Sequence, residues 1–175
     1  HPQPRPGASR NLPLCSYSEA LGALSRRMPS VVIAGSHGKT TTAALLAMIV
    51  RAAELPGIVL AGSALPDLGV RSTLVQGDRF FVAETCEYRR NFLSFSPSII
   101  VVTSVEADHL DYFSGVDDVM DAFAEYGGRL PANGELIYCE DDAGARALAA
   151  RLAAERPDVK QTPYGERAAG EGRIS

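Results

Sequence analysis

Apolar residues along this chain gather into short continuous runs, separated by turn residues and by stretches with helical spacing. The first run is Val31-Val32-Ile33-Ala34, which ends at Gly35. Ile58-Val59-Leu60-Ala61, Arg79-Phe80-Phe81-Val82-Ala83-Glu84, Ile99-Ile100-Val101-Val102-Thr103 and Leu136-Ile137-Tyr138-Cys139 follow. Runs of this kind, without polar alternation, suit strands buried on both faces of a parallel sheet. A weaker strand near Thr73-Leu74-Val75, inside the loop-rich stretch 62–77, suggests a hairpin.

Helical patterns fill the intervals. Residues 18–25 read as a short helix that Ser16 or Ser18 can cap, with Leu21 and Leu24 on one face. From Ala43 to Leu55 there is almost no polar residue. Leu45, Leu46, Met48, Ile49 and Val50 cover most of the circumference and predict a buried helix, stopped by Pro56-Gly57. Ser114-Gly115-Val116-Asp117 is a capping-box-like start for a helix carrying Val119, Met120 and Phe123. Residues 141–155 form an Ala-rich helical stretch with Leu148 and Leu152 inward and Pro157 beyond it. Residues 1–13, rich in Pro, Arg and Gly, read as a linker or the end of a preceding domain. Residues 161–175 read as a polar tail without a closing element. Strands alternating with helices predict one α/β domain over 14–175, a mostly parallel sheet flanked by helices, and the Gly35–Thr42 loop between strand and helix makes it resemble a phosphate-loop nucleotide hydrolase.

Composition adds exclusions. A hydrophobic content of 46% supports a real core, and a net charge of −4 gives no electrostatic reason to expect nucleic acid or a membrane surface. The small basic cluster Arg89-Arg90 does not change that balance. Cys15, Cys86 and Cys139 match no zinc or redox spacing and read as reduced thiols of a cytoplasmic protein. No apolar run approaches the ~20 residues of a membrane helix. The opening stretch His1–Gly7 has neither an initiator Met nor a signal-peptide core, and reads as the interior of a longer polypeptide.

The candidate chemistry lies at the ends of the apolar runs. Gly35-Ser36-His37-Gly38-Lys39-Thr40-Thr41-Thr42 stands between a buried strand and a buried helix. There, backbone N–H groups of a glycine turn at a helix N-terminus favour an anion. Lys39 can reach phosphate oxygens, and the Thr40 hydroxyl can hold Mg²⁺. The usual first glycine of such loops is Ile33 here, and Gly35 supplies the turn instead. The competing reading is an ordinary glycine turn; a Lys at a helix start then opposes the macrodipole with no anion to compensate. Glu84 ends an apolar strand, where ligands gather in open α/β sheets, and can bind the metal. Taken alone, a Glu there is a solvated loop residue. Glu106, Asp108, His109 and Asp111 cluster just past another strand, equally a metal or phosphate site and a capped polar loop.

In this order and at these separations, the pieces resemble the central domain of the Mur ligases. The loop Gly35–Thr42 is similar to that family's Gly-Thr-x-Gly-Lys-Thr-Thr form. Val82-Ala83-Glu84 resembles the strand whose Glu binds Mg²⁺, and Thr103–Asp111 resembles the Thr-Asn-x-x-x-Asp-His-x-Asp segment whose His binds a second metal ion. Ser104 departs from the usual Asn, and Thr85-Cys86-Glu87 from the more frequent Ala-Asp-Glu.

The resemblance implies an ATP- and Mg²⁺-dependent amide-bond ligase of peptidoglycan synthesis. Gly35, Ser36, His37, Gly38, Lys39, Thr40 and Thr41 would cradle the nucleotide. Thr40, Glu84 and His109 would hold metal, and Lys39 and His109 would be catalytic. The His after Ser36 and the Glu-Ala-Asp-His string favour the branch that adds L-alanine to UDP-N-acetylmuramate. Glu84-Thr85-Cys86-Glu87-Tyr88 also resembles the branch that recycles muropeptides. The flanking N- and C-terminal domains of such an enzyme would lie outside these residues. Readings of other classes are a phosphate-loop kinase or GTPase, and a nucleotide-binding module without turnover.

Overall fold

The computed structural model describes residues 14–174, and the linker expected over 1–13 lies outside them. Helix α1 (Tyr17–Ser25) precedes strand β1 (Ser30–Ala34), helix α2 (Lys39–Ala52) and strands β2 (Ile58–Leu65), β3 (Arg71–Val75), β4 (Phe81–Glu84) and β5 (Ile99–Val102). Helix α3 (Val116–Gly127), strand β6 (Glu135–Cys139), helix α4 (Ala143–Glu155) and strand β7 (Lys160–Tyr164) complete the order. A short 3-10 segment, Tyr88–Ser94, lies between β4 and β5.

The strands form one sheet in the order β3-β2-β4-β1-β5-β6-β7. Only the β2–β3 pair is antiparallel, as the hairpin pattern predicts; the rest pair in parallel. On one face Val32, Phe81, Ile100 and Leu136 meet Phe92, Phe123, Leu148 and Leu152, and Leu21 and Leu24 of α1 pack against them. On the other, Ile33, Val59, Val82 and Val101 meet Ala43, Ala47 and Val50 of α2. The result is the expected α/β sandwich. Among the described residues, no helix is long and apolar enough to cross a membrane, and all three cysteines are free.

Local signals hold at several ends. Ser16 caps α1 in a capping box with Glu19, and Asp142 caps α4 by accepting the Ala145 amide. Three expectations need correction. Helix α2 is not buried all round: Leu45 is 61% and Ile49 58% exposed, because small residues make its sheet contact and turn the bulky ones outward. No side chain caps α3, whose N-cap is Gly115; Asp118 instead reaches back and accepts the Ser114 amide at 3.1 Å. The tail is not structureless, since residues 160–164 form β7. That strand is polar and contains Pro163 because it is the sheet's edge, bonded to β6 alone.

Candidate functional site

Chain crossings put three strand ends side by side. From β1 the chain passes over β4 to reach β2, and from β4 it returns past β1 to β5. In register, Ile33 lies beside Glu84, and Ala34 beside Val102. The phosphate-type loop, Glu84 and the loop starting at Thr103 therefore open at one edge, where open α/β sheets bind ligands.

Gly35 has φ +139, and a Cβ there would stand 2.1 Å from Thr103 Oγ1. Only glycine lets the loop turn so close to β5. The Thr103 hydroxyl lies 3.2 Å from the Ala34 carbonyl and 2.5 Å from that of His37. Residue 104 takes two of the loop's amides: Ser36 N–H donates to its carbonyl at 3.0 Å, and His37 N–H to its hydroxyl at 3.0 Å. The buried Ser36 hydroxyl accepts the Glu106 amide at 2.9 Å. The His37 side chain is 70% exposed and 3.8 Å from Glu106. With those amides engaged, the donors still open are in the first turn of α2. Gly38 starts that helix at φ 79 and no side chain caps it, which leaves its N–H groups aimed at the mouth of the loop.

Thr40 Oγ1 donates to Glu84 Oε1 at 3.0 Å, and the other Glu84 oxygen accepts the Gly62 amide at 2.6 Å. The carboxylate predicted from the strand end thus meets the hydroxyl predicted from the loop. The Lys39 ammonium bonds to the carbonyl of Gly35 and, at 3.3 Å, to that of Ser36. Its remaining partner is a carboxylate absent from the sequence-derived site. Glu87 lies 3.4 Å from Lys39 Nζ and 3.5 Å from His109 Nε2, with its side chain only 1% exposed. In the sequence Glu87 stands out only within Thr85-Cys86-Glu87 and Glu84–Tyr88, through their likeness to family strings; its burial is a property of the fold.

His109 sits at φ +52. Its amide donates to Asp108 Oδ1 at 2.7 Å, and its ring lies 4.9 Å from the Tyr88 ring. Glu87, Asp108 and His109 bring ligand atoms within 4.8 Å of one another. Glu106 and Asp111 point elsewhere: Glu106 towards His37, and Asp111 to the Tyr88 hydroxyl at 3.0 Å. A cleft of about 370 Å³ is lined by Lys39, Gly62, Glu84, Thr85 and Cys86 among others. Desolvation, with help from Glu87 and Glu84, holds the Cys86 thiol above its ordinary value, so it stays protonated at neutral pH and is a poor nucleophile.

A three-layer α/β domain with a phosphate-type loop after its central strand is the class these observations define. The chain belongs to the Mur ligase middle-domain family, whose profile matches residues 33–172. It is 48% identical over 166 residues to a UDP-N-acetylmuramate–L-alanine ligase of Treponema pallidum (strain Nichols), an alignment spanning 95% of this chain and 34% of the relative. A protein of the same name from Borreliella afzelii is 39% identical over 94% of this chain and 35% of its own length. The chain thus spans about a third of the relatives it matches. Among solved structures, the UDP-N-acetylmuramate:L-alanyl-gamma-D-glutamyl-meso-diaminopimelate ligase of Neisseria meningitides superposes with a TM-score of 0.72 at 22% identity, covering 91% of this chain and 52% of that one. The UDP-N-acetylmuramate-alanine ligase of Thermotoga maritima gives 0.68 at 19% identity, covering 86% and 31%. At such identities the likeness is one of fold.

Proposed function

We propose that this chain is the nucleotide-binding part of a cytoplasmic ligase that joins L-alanine to UDP-N-acetylmuramate in an ATP-dependent step of peptidoglycan synthesis. One observation carries the reading: the Thr40 hydroxyl, in the first turn of the uncapped helix α2, meets the Glu84 carboxylate at 3.0 Å, beside a cleft that Lys39 also lines. The 48% identity to a relative of that name supports the choice of substrates.

The residues fit the groups such a reaction needs. An uncapped helix start beside a lysine suits a polyphosphate. Thr40 and Glu84, 3.0 Å apart, offer the hard oxygen donors that Mg²⁺ prefers. His109, with Glu87 and Asp108, offers a second donor set for a divalent cation. Bound Mg²⁺ would supply neutralisation of phosphate charge.

A free carboxylate is a poor acylating agent at neutral pH, so amide formation needs it as an acyl phosphate, with inorganic phosphate as the later leaving group. The work left to this chain is positioning and charge stabilisation. The amides of Gly38, Lys39, Thr40 and Thr41 would orient the terminal phosphates. Lys39 would stabilise charge developing on the transferred group. Gly35 keeps Thr103 against the loop, and Ser36, His37 and Ser104 hold the loop's shape through the bonds above. The sugar nucleotide, the amino acid and the adenine ring would contact flanking N- and C-terminal domains of a longer enzyme, so the chain alone binds nucleotide weakly and does not ligate.

A graft tests this. The matched segment of the Treponema pallidum relative is replaced by this chain, and phosphate release is followed with ATP, UDP-N-acetylmuramate and a panel including L-alanine and the muropeptide tripeptide. Release that requires L-alanine is expected. A folded, ATP-binding graft that releases no phosphate with any acceptor removes the proposal, and turnover with the tripeptide alone reassigns the substrate.

A further inference from the structure

Glu87 is the most buried ionisable side chain of the site, and the activity proposed above uses it only as one donor of a cation set with Asp108 and His109. It follows β4 at the start of the turn into Tyr88–Ser94, with its side chain 1% exposed. Burying a carboxylate is unfavourable unless its charge is matched. The matching cation is Lys39, at 3.4 Å from one oxygen and 3.5 Å from the other. His109 Nε2 stands at 3.5 Å from Oε1. The Lys39 ammonium is thereby drawn back onto its own loop, with the Gly35 and Ser36 carbonyls as its other acceptors. All three acceptors compete with a phosphate for the ammonium.

We infer that Glu87 is a positioning residue that latches Lys39 in the nucleotide-free state, so that phosphate must compete with a buried carboxylate for the ammonium. The inference rests on the nucleotide-binding reading for its consequence, although not for the pair itself. When Lys39 turns to a phosphate, Glu87 loses its matching charge in a site that admits little water. That loss is relieved when a divalent cation takes the place of the ammonium. The latch therefore opposes metal-free nucleotide and favours nucleotide accompanied by metal. Removing the Glu87 charge abolishes that discrimination, and its effect on metal-free binding travels through Lys39.

Two measurements on the 175-residue chain separate the parts. In the first, thermal unfolding without ligand compares wild type, Lys39→Met, Glu87→Gln and the double variant. Lys39→Met strands a buried carboxylate and lowers Tm by ~6–12 °C, while adding Glu87→Gln recovers much of that loss. Strictly additive effects overturn the pair. In the second, NMR titration with ATP is run in EDTA and in excess Mg²⁺. Glu87→Gln is expected to tighten metal-free binding by about tenfold and to shrink the gain from Mg²⁺, and the metal-free tightening is expected to vanish in the Lys39→Met background. Unchanged or weaker metal-free binding by Glu87→Gln overturns the latch. If Glu87→Gln does not fold, Glu87→Asp, which keeps the charge but withdraws it by one methylene, must tighten metal-free binding in the same direction, or the latch falls. Absence of ATP binding by every variant refutes the nucleotide reading and the latch together, while an established thermal coupling keeps the ion pair.

Discussion

The Thr40 hydroxyl donates to Glu84 at 3.0 Å, joining the first turn of α2 to the end of a strand 44 positions later in the chain. Since β4 lies directly beside β1, the two donors face the same space. If they share a cation, Glu84→Gln and Thr40→Val each weaken Mg²⁺-dependent nucleotide binding by about 10–100-fold. Metal-free binding should move far less. Calorimetric titration with and without Mg²⁺ checks this, and an equal loss in both conditions refutes a shared cation.

Gly62 offers a subtler way to disturb the same carboxylate. A Cβ there would stand 2.6 Å from the Glu84 carboxyl group, whose side chain can swing aside. Gly62→Ala should therefore leave thermal stability nearly unchanged while reducing the Mg²⁺-dependent part of binding. A large fall in Tm with normal metal dependence would contradict that.

Gly35 is the opposite case. Its φ of +139 and the 2.1 Å approach to Thr103 Oγ1 leave no room for a side chain. Gly35→Ala should destabilise by roughly 2–4 kcal/mol, combining backbone strain with displacement of the loop that starts at Thr103. Gly170, at φ +68 with nothing within 4 Å, is the control, and Gly170→Ala should cost about 1 kcal/mol. Denaturant unfolding of both variants measures the difference; equal costs would mean that contact with Thr103 is unimportant.

Helix α2 makes a prediction about packing. Leu45 and Ile49 are mostly exposed, whereas Val50 is 4% exposed against the sheet. Replacing either exposed residue by Ala should change stability by less than about 0.5 kcal/mol, and Val50→Ala should cost about 1–3 kcal/mol. Urea midpoints of the three variants settle the order.

Stability should also carry an acid limb from Glu135. Hydrogen bonds from Lys160, then Thr162, hold its pKa below the ordinary 4.5. A carboxyl group with a depressed folded pKa contributes stability that is complete above its unfolded value and disappears as pH falls through the folded one. Glu135→Gln should therefore be less stable than wild type at neutral pH, with the difference starting to shrink below the ordinary 4.5 and gone only once pH is below the depressed folded value. Melting curves between pH 3 and 7 test the sign. A difference that persists at low pH would assign the effect to packing.

Much of this was legible in the order of residues, because its causes are local. Apolar runs marked β1, β2, β4, β5 and β6, since burial on both faces leaves no polar positions in a strand. Glycine, lysine and threonine at a strand–helix junction marked the loop, and carboxylates or histidine just past strand ends marked Glu84 and His109. Tertiary structure decided which of these meet, through a sheet order that places β4 and β5 on either side of β1. Glu87 became a partner of Lys39 only because the turn after β4 folds under the loop, and no spacing in the chain encodes that burial. The covered side of α2 and the pairing of a polar β7 with β6 were settled in the same way. Each depends on surface supplied by a segment distant in sequence, whereas periodicity records only a residue's relation to its own neighbours.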